Sequence, residues 1–263
     1  MSAWRGFPAG RITTRIIVAL AAAVAGVAAS APARTAAENR VLVAPYGVVS
    51  PVGALFALTA AGQLGQHFCT ASVVNSAAGD LLLTAAHCLR DHTVTQLAFV
   101  PGYRSGRGRD GVWRVTGVVV DQRWNTAADP DDDFAFLIVR DPSRKKRLET
   151  LTGAEAIAVG APSGLRVEVA GYPDTGNGLV RCDTTAGAFS ATQFMFRCAG
   201  FFDGTSGGPL LADVSPADGL DTVIGVIGGY QLGGRTSSVS YAARFSGELG
   251  ALYRQALSVS GRR

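Results

Sequence analysis

The sequence is poor in the features that mark several large protein classes. Charged side chains make up 17% of its 263 residues against 48% hydrophobic ones, so it lacks the composition of a disordered or fibrous chain and can bury a sizeable core. It has only four cysteines and three histidines, and no two cysteines stand in a C-x-x-C spacing, which argues against zinc. Its basic stretches, Arg104, Arg107 and Arg109 in one place and Arg144, Lys145, Lys146 and Arg147 in another, carry no interleaved aromatics and read as solvated loops rather than a nucleic-acid surface. The apolar run from Ile16 to Ala29 falls short of the roughly 20 residues that cross a bilayer. No internal repeat is visible.

That apolar run has another reading. Arg5, Arg11 and Arg15 precede it, and the small residues Ala29, Ser30, Ala31, Pro32 and Ala33 close it, which is the order of a secretory signal peptide over residues 1–33. Cleavage there removes three arginines and no acid, so the formal net charge falls from +4 to +1. An even set of cysteines in an exported chain is read as two disulfides. Three pairings are open to Cys69, Cys88, Cys182 and Cys198, and sequence separation favours Cys69 with Cys88 and Cys182 with Cys198. Each then closes a loop of about 20 residues, contributing about 3 kcal/mol in the chain-entropy view.

Apolar or alternating runs recur between glycine, proline and aspartate punctuation: 52–58, 68–74, 81–83, 112–120, 134–139, 165–170, 194–198 and 223–227. This is the pattern of an all-β protein. One helix is expected near the end, capped by Ser246, with Leu249, Leu252, Tyr253, Ala256 and Leu257 on its packing face. The polar stretch from Asp141 to Thr152 is the candidate linker between two halves of about a hundred residues.

Residues Gly204 to Gly208 read Gly-Thr-Ser-Gly-Gly, a G-x-S-x-G pattern that alone describes many ordinary turns. A nucleophilic Ser206 needs a base, and His67, His87 and His92 all precede it. The Ser, Asp, His order of α/β-hydrolases therefore fails, and the order His, Asp, Ser remains. "LLLTAAHCL" offers His87 after a strand-like run, beside Cys88. His92 lies among polar residues and is expected to be solvated, while His67 is expected to be structural. "DPDDDFAFLIV" offers Asp133 directly against a strand, with Asp129, Asp131 and Asp132 read as turn residues.

The blocks "TAAHC", "DFAFL" and "GTSGGP", together with "HFCTASVV", resemble the trypsin-like (chymotrypsin-fold) serine peptidases, and the small size resembles secreted bacterial members. The resemblance runs from Phe68 to Tyr241. It implies two antiparallel β-barrels, with residues 34–145 forming the first barrel, preceded by a short propeptide if one exists, and 146–263 the second barrel with the terminal helix. It implies His87 as general base, Asp133 as its orienting acid, Ser206 as nucleophile, and the amides of Gly204 and Ser206 as oxyanion donors.

Two departures stand out. Thr205 replaces the aspartate that normally pairs with a freshly cut N-terminus, so any pocket must be formed by other contacts. Gly200 stands where the trypsin subgroup has an acid, and Gly228, Gly229 and Tyr230 replace the usual edge strand. With Asp203 at the rim, these five residues are the candidate substrate-binding set, expected to favour small or medium uncharged side chains. The leading reading is a secreted serine endopeptidase acting on peptide or protein substrates as a monomer, with no cofactor, no metal, no nucleic acid and no membrane association once the leader is removed. The alternatives are a catalytically silent binding protein of the same fold, a fate that usually removes a triad member, and an esterase.

Overall fold

The computed structural model describes residues 41–43, 50–140, 147–176, 178–212 and 221–261. The expected leader, Arg144 to Lys146 and part of the candidate linker lie outside the described residues. The strands are β1 (Val41–Val43), β2 (Val52–Leu58), β3 (Leu64–Val73), β4 (Leu81–Thr84), β5 (Leu97–Pro101), β6 (Trp113–Val120), β7 (Ala135–Arg140), β8 (Ala156–Ile157), β9 (Leu165–Gly171), β10 (Val180–Ala188), β11 (Gln193–Phe196), β12 (Pro209–Ala212), β13 (Thr222–Ile227) and β14 (Ser240–Arg244). The α-helices are α1 (Gln122–Ala127), α2 (Leu148–Thr152) and α3 (Gly247–Ser260). Among the described residues, no helix is long and apolar enough to cross a membrane.

Strands β2, β3, β4, β7, β6 and β5 close one antiparallel barrel. Strands β9, β12, β13, β14, β11 and β10 close a second, through the antiparallel pairing of β10 with β9. Two strands are appended to the second barrel: β1 pairs antiparallel with β10, Leu42 opposite Arg181, and β8 pairs parallel with β13. The segment 34–50, read from sequence as a propeptide or as the beginning of the first barrel, thus sends Val41–Val43 to the second one.

The burial pattern explains the two kinds of apolar run. In β6 buried and half-buried residues alternate: Trp113 and Val115 turn into the first barrel, and beyond a register shift at Val115–Gly117 Val119 joins Phe136 on the side that meets the second barrel. In β7 every residue from Ala135 to Val139 is buried. Leu137 and Val139 fill the first barrel, while Phe136 and Ile138 pack against Val223 and Val226 of the second barrel and Leu249, Leu252 and Ala256 of α3. A continuous apolar run here marks a strand between two packed layers. Helix α3 begins after Ser246 as expected, although the Ser246 hydroxyl makes no capping bond to the first turn. It lies across the first barrel, where the Tyr253 hydroxyl donates to the Asn75 carbonyl and the Ser260 hydroxyl to Asp80.

The residue just before β8 is a buried acid, Glu155. The main chain of Glu155 bridges to β3, donating to Val73 O at 2.9 Å and accepting from Asn75 N at 3.0 Å. Its side chain is buried, and neither carboxyl oxygen has a hydrogen-bond partner among the described residues. Burial pushes its pKa up to about 8, against the opposing pull of the nearby Ser72 hydroxyl and of Arg181. The folded carboxyl therefore holds a proton that the unfolded chain releases near the ordinary glutamate value of about 4.3. Between that value and about 8 the native state binds more protons, so stability falls as pH rises. Glu155→Gln should raise the unfolding temperature, by roughly 2 to 4 °C per kcal/mol relieved, and the gain should be larger at about pH 8 than at about pH 5. Thermal unfolding at both pH values tests this, and an equal effect at both would disprove it.

Candidate functional site

His87 follows β4 in a 3-10 turn, Ala86–Leu89, that a disulfide from Cys88 to Cys69 ties back to β3. The second disulfide joins Cys182 and Cys198, so both pairs follow the expected connectivity. Asp133 ends a second 3-10 turn, Pro130–Asp132, which the Asp129 carboxylate caps by accepting from Asp131 N at 3.0 Å. The proline presets the first turn, and Asp133 then meets β7 at the barrel rim.

The Asp133 side chain is fully buried. Its Oδ1 accepts from His87 N at 2.8 Å, and its Oδ2 accepts from His87 Nδ1 at 2.7 Å and from Gly229 N at 2.8 Å. Because the partner of Nδ1 is a carboxylate, Nδ1 carries the ring hydrogen and Nε2 is left as an acceptor. The close approach needs glycine, since a Cβ on Gly228 would stand 2.8 Å from Asp133 Oδ2.

Ser206 sits on a turn that only glycines permit. Gly204 and Gly207 have φ of +91° and +80°. A Cβ on Gly204 would approach Asp174 N to 2.5 Å, and one on Gly207 would collide with the Thr84 hydroxyl and Thr70 O. Thr70 of β3, in the other barrel, holds the turn from below. Its hydroxyl donates to Gly204 O at 2.9 Å and accepts from Tyr172 N at 2.8 Å, and its main-chain N donates to Ser206 O at 2.7 Å. The peptides that carry the Gly204 and Ser206 amides are anchored through their carbonyls: Asp203 O accepts from Asp174 N at 2.7 Å and Thr205 O from Gly208 N at 2.9 Å. A peptide's N–H and C=O point opposite ways, so these bonds fix where both amides aim. Thr205 is buried, its hydroxyl donating to Phe202 O at 2.8 Å.

Two cavities meet at Ser206. One, of about 320 Å³, includes Phe201, Asp203, Thr205, Ile227, Leu232 and Ser240 in its wall. The other, of about 350 Å³, brings His87, Cys88 and His92 together with Asp203, Ser206 and Leu232. Of the five residues expected to bind substrate, Asp203 lines both. Gly200 is absent from both walls and forms a turn with φ +83° just before Phe201. Gly228 and Gly229 lie under Asp133, and the Tyr230 ring packs against Phe189 at 4.7 Å and edge-on against Tyr241 at 4.9 Å. The first cavity also holds charges of both signs, with Asp174 and Arg235 in its wall.

The other histidines divide. His67 is buried, its Nε2 bonded to Pro173 O at 2.9 Å and its ring against Phe56 and Tyr103, which fits a structural role. His92, expected to be solvated, is instead half-buried with its ring 4.3 Å from that of Phe68. The turn acids also have partners, Asp132 pairing with Arg123 at 2.7 Å and Asp131 accepting from Gln193 at 2.9 Å. Sequence reasoning missed Thr70 and Gln193. Neither has a signal in one dimension, because their partners lie 134 residues away at Gly204 for Thr70 and 62 residues away at Asp131 for Gln193.

A sequence profile described as the trypsin-like peptidase domain matches residues 69–215. No curated protein sequence matches the chain significantly. Among solved structures, protease Anisep from Arthrobacter nicotinovorans superposes with a TM-score of 0.67 at 22% identity, covering 83% of this chain and 100% of its own. A thermostable serine protease, AL20, from an extremophilic microorganism gives 0.65 at 24% identity, covering 80% and 98%. A Glu endopeptidase solved in complex with MPD gives 0.64 at 14% identity, covering 84% and 98%. At these identities the likeness is one of fold.

The Thr70 hydroxyl yields a stability prediction. Thr70→Val keeps the shape but leaves the Gly204 carbonyl and the Tyr172 amide buried and unpaired, at about 1 to 3 kcal/mol each. Urea unfolding should show a loss of about 3 kcal/mol, and a loss below about 0.5 kcal/mol, the range of ordinary surface changes, would show that both groups find other partners.

Proposed function

The chain belongs to the trypsin-like peptidase family, and on that footing we propose that it is a secreted serine endopeptidase working through His87, Asp133 and Ser206. The observation that carries this reading is the buried Asp133 carboxylate bonded to His87 Nδ1 at 2.7 Å, in a cavity wall that His87 shares with Ser206. His87 Nε2 takes the proton as Ser206 Oγ attacks the scissile carbonyl. Asp133 keeps the tautomer and stabilises the imidazolium that results. The anchored amides of Gly204 and Ser206 donate to the oxyanion, a contribution typically worth about a hundred- to a thousandfold in rate. Collapse expels the amine with the proton from His87, leaving an acyl-enzyme that water then cleaves by the same steps in reverse.

Secretion is supported by the order of residues in the leader and by the two disulfides, which persist in oxidising compartments. The bond from the Thr205 hydroxyl to Phe202 O supports a Ser206 turn held without an N-terminal ion pair. A form starting near Arg34 and one carrying several extra residues ahead of it should then cleave peptides equally, and activity that emerges only after a defined internal cut would refute that point.

A fluorophosphonate should label wild-type protein, and Ser206→Ala should remove the label while the protein stays folded. Ser206→Ala and His87→Ala should each lower turnover by on the order of a millionfold, and Asp133→Asn by about ten-thousandfold through the wrong tautomer. Asp132→Asn should be mild. A Ser206→Ala protein that still labels would overturn the assignment, and a severe Asp132→Asn would move the acid by one residue.

A further inference from the structure

Gln193 is the first residue of β11 and is 4% exposed. Its Nε2 donates to Pro130 O and to Asp131 Oδ1, both at 2.9 Å, in the turn that leads into Asp133. Its Oε1 accepts from Tyr230 N at 3.2 Å. A carbonyl and a carboxylate can only accept from it and a main-chain N–H can only donate, so the partners dictate which way the amide faces. Gly229 lies directly against it, and a Cβ there would collide with the Gln193 amide. The side chain thus spans from the acidic turn of the first barrel to the segment Gly229–Gly234 of the second.

That segment needs holding. Its 3-10 turn, Tyr230–Gly233, places Gln231 and Leu232 at φ of +54° and +56°, left-handed conformations that an L-residue adopts only at a steric cost. Glycine pairs bracket it, Gly228–Gly229 before and Gly233–Gly234 after, with φ of +72° at Gly229, +105° at Gly233 and +128° at Gly234. Bonds from Leu232 N to Gly229 O and from Gly234 N to Gln231 O curl the segment without anchoring it. The anchors to the first barrel are Gly229 N on Asp133 and, through Gln193, Tyr230 N on Asp131 and Pro130. Leu232, 46% exposed, stands in the wall of both cavities at Ser206. A left-handed leucine beside Gly233 keeps one position only if its surroundings over-determine it.

We propose that Gln193 is a positioning residue that sets the Leu232 wall of the substrate cavities by pinning the Tyr230–Gly233 turn to the Asp133 turn. The inference rests on the endopeptidase reading above. A peptide lying across Ser206 with a side chain in the first cavity passes Leu232, so a released turn weakens substrate binding while the His87–Asp133 pair keeps its own bonds.

Gln193→Met keeps the approximate volume and removes the three hydrogen bonds. Its KM for peptide substrates should rise about tenfold, while kcat per labelled site falls less than about threefold. Asp131→Ala, on a partly exposed turn, removes one acceptor without entering the core. It should raise KM by roughly threefold and serves also if Gln193→Met fails to fold. An unchanged KM in Asp131→Ala and in any folded Gln193→Met, with normal fluorophosphonate labelling, overturns the inference and leaves the endopeptidase reading intact. A defect confined to the labelled fraction shows a merely structural role and also overturns it. Wild-type protein that takes no label refutes the endopeptidase reading and this inference with it.

Discussion

A carboxylate with no exposed surface constrains everything around it. Asp133 cannot stay buried and ionised unless donors surround it, and it has three: two from His87 and one from Gly229. The first two come from its own barrel and the third from the other, so the charge is satisfied only when the barrels are closed on each other. An unpaired buried charge would cost several kcal/mol, which makes that closure the low-energy state. The same requirement excludes a side chain at Gly228, whose Cβ would press on the carboxylate.

Threonine 70 performs the reciprocal task from the other side. It is buried in β3, yet its hydroxyl and main-chain amide both reach across to the Ser206 turn. The first barrel therefore holds the turn that the second barrel presents, and the second barrel holds the acid that the first presents. Around these polar ties lies an apolar seam in which Phe136 and Ile138 of β7 meet Val223 and Val226 of β13, with α3 covering the end. The seam supplies non-directional attraction, and the hydrogen bonds select one register within it.

Two of the four described non-glycine residues with positive φ, Gln231 and Leu232, lie in the same region. Gly204, Gly207, Gly229, Gly233 and Gly234 all have positive φ, and so do Gln231 and Leu232. The glycines adopt these angles at no steric cost, and the glutamine and leucine do not. Their conformation persists where a turn is tied at both ends to packed strands, which is the setting in which strained residues accompany a working cleft.

Much was legible from residues alone. Alternation and continuous apolar runs located β2, β4, β6, β7, β9 and β13 within a residue or two, because their burial repeats with the strand period. Strand β10 was not legible: its inward positions are Cys182, Thr184 and Ala186, small or polar residues without apolar contrast. Strands β5 and β12 were not picked out although they are no shorter than β4, and α1 and α2 span little more than one turn each. The three blocks around His87, Asp133 and Ser206 could be read because each is local, a residue type held in place by its immediate neighbours. The cavity walls at Leu232 and Ser240, the cross-barrel bonds of Thr70 and Gln193, and the placement of Val41–Val43 on the second barrel depend on which surfaces meet when two closed barrels pack. Sequence located most of the strands, favoured the disulfide pairs and set the local turns, since these follow from periodicity and short spacing. Tertiary structure alone decided how those turns converge, because hydrogen bonds between residues as far apart as His87 and Asp133, or Thr70 and Gly204, leave no periodic trace in the chain.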